Sequence, residues 1–529
     1  MSIVTGWLLA YASIKNRKFE TVYVPLVNVF ESIPVIGFLP LVLVAFVLTF
    51  PGSIGVELAV DFLVFDAVAW NVWIGIYQSF KTIPQDLLEV SDNYSFSFFK
   101  RMQTLLIPHS IPRITSNVFS SFADAFFYIS VSEVFVAGAA TARVCPAGAC
   151  STFGIGTLIT GYLAASNYTA VLYCLIAIAA AVIAVTLVLS RLSKWAVAKY
   201  GTNTAGIIVR HASRWRGRRM VNPWRAFRNQ TRVFSSYTPR LRAAQPAGSE
   251  PVEHPSRVRV LKYVGISMAV VVLAFIAYSA LSVVASVSSS TWYGFLRETP
   301  QLLEYVAADY IRVSIITLAA LGLAVFVGYY LATHQRAGDT ILPAIQTFAA
   351  FPAPAYFPLV FIATIPFLEH TLPFIYTEVY IFILGFLSCF YYVFFDFWIG
   401  VKSIPSEFNE LTRNYQMPFL TKMRRVIVPA SLPYLITGLS STINSAWAGV
   451  AIGEYWPNIA PRVAPNGLQV PFGMMYYISS NMANGDVAAA AYVSLLFAAV
   501  VAIYGVVFTR NLMDLARKKY VVEEGIFAA

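Results

Sequence analysis

Apolar stretches about twenty residues long recur through this chain of 529 residues, and they limit its possible folds more than any other feature. A helix of about twenty apolar residues crosses a hydrocarbon core about 30 Å thick. Ten such stretches can be placed, near residues 27–50, 59–80, 115–140, 169–190, 263–286, 311–333, 341–366, 375–400, 434–456 and 487–509. Since 58% of the residues are hydrophobic and only 12% are charged, we predict an all-α, polytopic membrane protein with ten to eleven transmembrane helices.

Positive charge is concentrated in one segment of the chain. The stretch from Arg191 to Lys262 holds sixteen basic residues and two acidic ones, whereas the whole chain has a net charge of +11. Basic loops stay on the cytoplasmic side of a membrane, so we expect this linker and the C-terminus to be cytoplasmic. We interpret the linker as a segment that contacts anionic membrane lipid or water, and we expect no nucleic-acid partner.

The chain also repeats itself at a constant offset of 321 residues. The residues Ile83, Pro84, Glu89, Asn93, Tyr94, Phe98, Met102, Pro108, Ser110 and Pro112 recur as Ile404, Pro405, Glu410, Asn414, Tyr415, Phe419, Met423, Pro429, Ser431 and Pro433. We therefore divide the chain into a first repeat (1–192), the basic linker (193–262) and a second repeat (263–529). Both copies of the shared polar stretch lie on the predicted cytoplasmic side, which predicts parallel repeats.

The first repeat has fewer predicted spans than the second. Aligning the two copies places Met1 inside a segment that corresponds to a span in the second repeat. We therefore expect that one helix and part of another are missing from the start of the first repeat, with a naturally shortened first repeat as the alternative.

Each repeat contains a polar loop of about thirty residues with fixed spacing. Glu89 precedes Pro108 by nineteen residues, and Glu410 precedes Pro429 by the same number. Because proline is accepted in a first helical turn, we predict two short helices, the second leading into a span. The candidate docking residues on these loops are Glu89, Asn93, Tyr94, Phe98, Phe99, Glu410, Asn414, Tyr415, Phe419 and Leu420. The alternative is a pair of amphipathic helices that lie on lipid headgroups.

These loops resemble the cytoplasmic loop of the permease subunits of ATP-binding-cassette importers. That loop has a glutamate, a glycine six residues later and then a proline; here Ser95 and Gln416 stand at the glycine position. This departure questions the tight turn, because residues other than glycine tolerate a positive φ poorly. The segment from Ser32 to Leu41 and the fused arrangement are similar to permeases of the nitrate, sulfonate and taurine type.

The resemblance implies a division of labour among separate proteins. A permease of this family forms the pathway, a cytoplasmic ATPase dimer docks on the two loops, and an extracellular substrate-binding protein delivers a small anion. The sequence contains no phosphate-binding Gly-x-x-x-x-Gly-Lys-Ser/Thr loop, so we expect no enzyme activity and no cofactor in this chain. ATP would be bound by the partner ATPase. The alternative is a secondary transporter that an ion gradient drives through intramembrane carboxylates.

Acidic residues inside the predicted spans are candidates for function because charge is costly there. All the ionisable residues that we assign to the spans are acidic, and Glu133 and Glu454 are the duplicated pair among them. They are gate candidates, or they are simply hydrogen-bonded to neighbouring helices. For the other acids we favour a structural role; they are Glu31, Asp61, Asp66, Asp124, Glu378 and Asp396.

Prolines and cysteines give weaker signals. The prolines that are predicted to bend or break the third helix of each repeat are pathway candidates or packing kinks, and they are Pro34, Pro40, Pro352 and Pro358. Cys145 and Cys150 lie in a predicted external loop, where a disulfide is possible. The histidines are scattered, so we expect no metal site.

Overall fold

The computed structural model describes residues 1–32, 53–81, 85–139, 154–200, 288–402, 406–457 and 462–519, together with a few single positions between these ranges. In the first repeat the helices are α1 (Ser2–Lys15), α2 (Arg17–Ser32), α3 (Ser53–Lys81), α4 (Gln85–Asn93), α5 (Phe98–Arg101), α6 (Ile107–Ala139), α7 (Ile155–Ala164) and α8 (Tyr168–Tyr200). A π-helical turn, Met102–Leu106, joins α5 to α6.

The second repeat has the same order of elements. Its helices are α9 (Ser289–Leu323), α10 (Tyr329–Thr333), α11 (Gln335–Ala349), α12 (Ala353–Thr371), α13 (Tyr376–Lys402), α14 (Ser406–Asn414), α15 (Phe419–Lys422), α16 (Val428–Glu454), α17 (Met474–Ala483) and α18 (Val487–Lys519). Strands β1 (Tyr455–Trp456) and β2 (Leu468–Gln469) form a small antiparallel ladder between α16 and α17.

The duplication that the sequence shows is also present in the local geometry. A matching π-helical turn, Met423–Ile427, lies 321 residues after Met102–Leu106 and also leads into a long helix. The turns before α8 and α18 match as well: the side chain of Asn167 accepts a hydrogen bond from the amide of Ala170, and Asp486 accepts one from Ala489. Each is an N-cap that satisfies a free amide in the first turn.

Five described helices are long and apolar enough to cross a membrane. They are Ile54–Lys81, Tyr168–Leu189, Ser289–Thr333, Tyr376–Lys402 and Tyr434–Glu454. Helices α11 and α12 together give a sixth candidate that is bent by 90°. The predicted spans at 263–286 and over most of 27–50 lie outside the described residues.

The predicted span 341–366 is broken at its prolines, as the sequence predicts. The chain leaves the helical conformation at Phe351 and Pro352, between α11 and α12. Proline disfavours a helical conformation in the residue before it, which explains the position of the bend. Pro358, in contrast, lies buried inside α12 and does not interrupt it.

The hydrophobic core joins the two repeats. One continuous cluster packs Leu63 and Phe127 of the first repeat together with Phe357, Tyr380 and Trp447 of the second. All five side chains are nearly or completely buried. The repeats therefore form one body with a shared apolar interface.

Within the second repeat, α13 and α16 approach closely at two glycines. A Cβ atom added to Gly449 would lie 2.5 Å from the Cα of Gly385 and 2.7 Å from the carbonyl oxygen of Leu384. Backbone atoms cannot move aside as the end of a side chain can. The helix crossing therefore requires glycine at position 449.

We expect G449A to lower the free energy of unfolding by about 1–3 kcal/mol, because the added methyl group must separate two helices. Thermal unfolding of the detergent-purified protein measures this change. The matched control is G322A, since an added Cβ at Gly322 in α9 has no atom within 4 Å. Equal unfolding temperatures for the two variants would contradict the close crossing.

Candidate functional site

The two polar loops present exposed apolar side chains next to exposed glutamates. Glu89 and Glu410 are exposed on α4 and α14, and both asparagines of the candidate set end these helices. The exposed apolar members of the set are Tyr94, Phe99, Tyr415, Phe419 and Leu420, of which Leu420 is 78% exposed. Exposed aromatic residues in a polar surround are typical of a docking surface.

One phenylalanine in each loop also holds the loop against its own repeat. The ring of Phe98 packs edge-on against Tyr11, with 4.7 Å between centroids. The aligned residue Phe419 packs edge-on against Tyr329 at 5.7 Å. These two residues therefore fix the position of the loop, while their neighbours remain outward.

The tight turn that the loop requires is present in both repeats without glycine. Ser95 has a φ of 47° and Gln416 has a φ of 45°. The amide of Phe96 donates to the carbonyl of Ser91 at 3.0 Å, and Met417 donates to Thr412 at 3.1 Å. These are the hydrogen bonds that close a helix C-terminus through a left-handed residue. The question raised by the missing glycine is thus answered: the turn forms with strained backbone.

The two loops differ in charge where they are alike in shape. In the first loop Arg101 pairs with Asp92, and this guanidinium holds the pKa of the Asp92 carboxyl below its ordinary value. The aligned positions in the second loop are Arg413 and Lys422, two residues of like charge. The ion pair is therefore a property of the first loop alone.

Glu133 caps the short helix of its repeat. Its Oε2 accepts hydrogen bonds from the amides of Gly156 at 2.5 Å and Thr157 at 3.3 Å, in the first turn of α7. A carboxylate at a helix N-terminus satisfies free amides and interacts favourably with the helix dipole. Gly154 leaves room for it, because an added Cβ there would lie 1.9 Å from a carboxylate oxygen.

Glu454 makes the same contact in the second repeat. Its Oε2 accepts from the amides of Met475 at 3.0 Å and Tyr476 at 3.1 Å, in the first turn of α17. A Cβ on Gly473 would lie 2.3 Å from this oxygen. The duplicated glutamates and the duplicated glycines are therefore parts of one device. Its hydrogen bonds match the structural alternative for these acids, and a gating role stays a prediction.

Arg312 joins this device to two further acids. Its Nε and Nη2 donate to Glu378 at 2.9 Å and 2.5 Å, and its Nη1 lies 2.8 Å from Asp309 Oδ1 and 2.9 Å from Glu454 Oε1. Asp309 Oδ2 accepts from the amide of Met474 at 2.8 Å. We call these four side chains the Arg312 cluster; it connects α9, α13, α16 and α17.

The expectation that only acidic residues occupy the spans is therefore wrong. Arg312 lies nearly buried in a helix long and apolar enough to cross a membrane. Asp309 is three residues before Arg312 on the same helix, a spacing that places two side chains on one face. That spacing was the available signal, but the partners Glu378 and Glu454 lie 66 and 142 residues away in the sequence.

Several candidate residues fall outside the part of the chain that the structure describes. They are Pro34, Pro40, Cys145 and Cys150. Of the other pathway candidates, Pro352 stands directly before α12 and Pro358 is buried within it.

Comparison with known protein families gives two matches to one family. The family model of binding-protein-dependent transport system inner membrane components matches residues 2–201 and again residues 320–516. The two matches together cover more than half of the chain, and they coincide with the repeated elements described above.

Individual relatives are distant. A nitrate import permease protein of Leptolyngbya laminosa is 23% identical over 43% of this chain and 72% of its own length. A putative aliphatic sulfonates transport permease protein of Bacillus subtilis is 24% identical over 29% of this chain and 52% of its own. A bicarbonate transport system permease protein of Synechococcus elongatus is 34% identical over 10% and 20%. Apart from the first, these alignments span about half or less of the relative.

We expect R312L to lower the free energy of unfolding by about 3–5 kcal/mol, because it leaves buried carboxylates without their cation. R312K should fall between this variant and the wild type, since a lysine keeps the charge but cannot bind Glu378 with two nitrogens. Thermal unfolding in detergent measures both. R297L removes an exposed arginine from the same helix and is the control. Unfolding of R312L at the control's temperature would refute a stabilising cluster.

We expect S95G and Q416G each to raise the free energy of unfolding by about 1 kcal/mol, because glycine adopts a positive φ without the steric cost that Ser and Gln pay. Thermal unfolding of each variant measures the gain. S95A and Q416A are the matched controls, which should bring no gain because alanine keeps Cβ. Destabilisation by glycine would show that the turn is not strained.

Proposed function

The chain belongs to the family of binding-protein-dependent transport system inner membrane components, and we propose that its two repeats form the substrate pathway of an ATP-driven importer. The observation that carries this proposal is the pair of matching loops, each with an exposed glutamate, outward aromatic residues and a positive-φ turn. Two such loops on one chain supply both docking positions that a dimeric motor needs. The importer then requires no second permease chain.

The proposed coupling uses the loops as levers. A partner ATPase pair grips the exposed residues of both loops, and each loop passes the movement through its π-helical turn into a long helix. Phe98 and Phe419 transmit the same movement to Tyr11 and Tyr329. ATP is bound and hydrolysed in the partner.

The proposed orientation puts the loops, the basic linker and the C-terminus in the cytoplasm. Helices α7 and α17, which the glutamates cap, then lie on the opposite side, where a substrate-binding protein delivers cargo. Helix Ser289–Thr333 has 45 residues and a length of about 67 Å, so its beginning extends past a core about 30 Å thick. The hydroxyl of Tyr477 in α17 donates a hydrogen bond to Glu298 of this extension at 2.8 Å. This contact supports a role of the extension in receiving the binding protein.

The proposed cargo is a small anion. The named relatives import nitrate, bicarbonate or aliphatic sulfonates. The buried Arg312 does not serve as the anion site, because three carboxylates already surround its guanidinium. Hydroxyl groups and backbone amides remain as the groups that would bind an anion in transit. In this proposal Glu133 and Glu454, at the helix ends, gate its entry.

We expect the double variant E89K/E410K to reduce recovery of the co-expressed cognate ATPase with the tagged chain at least tenfold, because it reverses a charge at both docking surfaces. ATP-dependent uptake into proteoliposomes should fall with it. The control for ATPase recovery is E304K/E369K, which reverses two exposed glutamates on α9 and α12, away from the loops, and should leave that recovery unchanged. Unchanged association and uptake in E89K/E410K would contradict coupling through the loops.

The energy source separates this proposal from a gradient-driven secondary transporter, which would use intramembrane carboxylates. Uptake by the complex should require ATP and persist when an ionophore removes the ion gradient. Loss of uptake with the ionophore, or uptake by this chain without an ATPase, would favour the secondary transporter.

A further inference from the structure

A polar contact crosses the interface between the two repeats. The hydroxyl of Tyr391 donates to Oδ1 of Asp124 at 3.1 Å, and the hydroxyl of Tyr392 donates to the same oxygen. Asp124 lies in α6 of the first repeat, and both tyrosines lie in α13 of the second. Asp124 is only 5% exposed. We call this group the Asp124 contact.

The Asp124 contact lies deep within its helices. Asp124 is seventeen residues from the start of α6, or about 25 Å along the helix, and Tyr391 is fifteen residues from the start of α13, or about 22 Å. The neighbouring residues Ala123, Phe127, Phe390 and Val393 are buried members of the hydrophobic clusters that both repeats share.

Because of its surroundings, the Asp124 contact is either fully formed or fully broken. Within the ranges that the structure describes, no basic residue forms an ion pair with Asp124, and the two tyrosine hydroxyls are its hydrogen-bond donors. A buried carboxyl group that loses its donors pays a large desolvation cost unless water or another donor replaces them. The repeats are therefore either held together here or separated enough to admit another partner.

The duplication does not repeat this contact. The position aligned with Asp124 is Ser445, whose hydroxyl donates to the carbonyl of Ser388 within its own repeat at 2.8 Å. The position aligned with Tyr391 is Trp70, which donates to Asp66 within the first repeat at 3.1 Å. Both aligned groups stabilise a single repeat, so the link between repeats is a specific property of Asp124 and its tyrosines.

We propose that the Asp124 contact is a latch that holds the two repeats together in this conformation and must open during each transport cycle. Asp124 is thus a positioning residue for the movement. This inference rests on the proposed function, in which two halves move relative to each other around a pathway. Opening the latch requires energy, which the partner ATPase supplies. Without cargo or binding protein the repeats therefore stay closed, and this closed state limits ATP hydrolysis.

The test measures ATP hydrolysis by the reconstituted complex without cargo or binding protein. D124L and Y391F/Y392F should each raise this idle hydrolysis on the order of tenfold, which corresponds to the loss of hydrogen bonds to a carboxyl group. D124N should stay near the wild type, because its amide oxygen still accepts from the tyrosines. S445A, at the aligned position, should leave idle hydrolysis unchanged.

A merely structural role would give a different pattern. It would lower the unfolding temperature of D124L and of Y391F/Y392F without raising their idle ATP hydrolysis above that of the wild type, and that result would overturn the latch. If D124L fails to fold, Y391F/Y392F and D124N still decide the question. The variant D124L/Y391F/Y392F should hydrolyse no more idle ATP than D124L does, whereas additive increases would show that the residues do not act together.

A separate measurement distinguishes failure of the latch from failure of the proposed function. Thermal unfolding of the isolated chain in a double-mutant cycle reports the coupling between Asp124 and the tyrosines without any ATPase. Measurable coupling in the isolated chain, together with no ATP-dependent uptake by the wild-type complex, would refute the importer while supporting the contact. Zero coupling would refute the latch whatever drives transport.

Discussion

The hydrogen bonds that a glutamate on a long helix accepts from the first amides of a short helix organise the same end of both repeats. Free amides at a helix start need partners, and a membrane interior offers no water to supply them. Glu133 and Glu454 provide these partners from within the chain. Because the carboxylate occupies the space directly in front of the short helix, a side chain at position 154 or 473 would displace it, and glycine leaves that space free. One interaction thus explains two pairs of duplicated residues.

The second repeat adds an ionic layer to this arrangement. Arg312 contacts the oxygen of Glu454 that the amides leave unused, and it binds Glu378 and Asp309 at the same time. Side chains of α9, α13 and α16 meet at one guanidinium, and α17 is linked to it through the carboxylates of Asp309 and Glu454. The two repeats share their frame, whereas the contacts that connect helices distant in sequence differ between them.

The sequence predicted the features that local rules determine. Hydropathy predicted helical spans, the constant offset predicted two repeats, and the prolines around Pro352 predicted the bend between α11 and α12. Contacts between distant segments could not be predicted in the same way. Apart from the three-residue spacing of Asp309 and Arg312, neither the Arg312 cluster nor the contact of Asp124 with Tyr391 leaves a spacing pattern, because packing of helices brings together residues that are far apart in the sequence. The turn at Ser95 was misjudged for a related reason: the loop around it imposes a backbone conformation that its own side chain disfavours.

The unequal charges of the two loops have a consequence for how a motor recognises them. One loop carries an internal ion pair between Asp92 and Arg101, and the other places Arg413 and Lys422 at those positions. An ATPase built from two identical subunits would present the same binding surface to both loops. Such a surface must tolerate a neutral ion pair in one loop and two positive charges in the other. It would recognise only what the loops share, the exposed aromatic side chains and the tight turn between short helices. In an ATPase built from two different subunits, the charge difference between the loops would instead determine which subunit binds to which repeat.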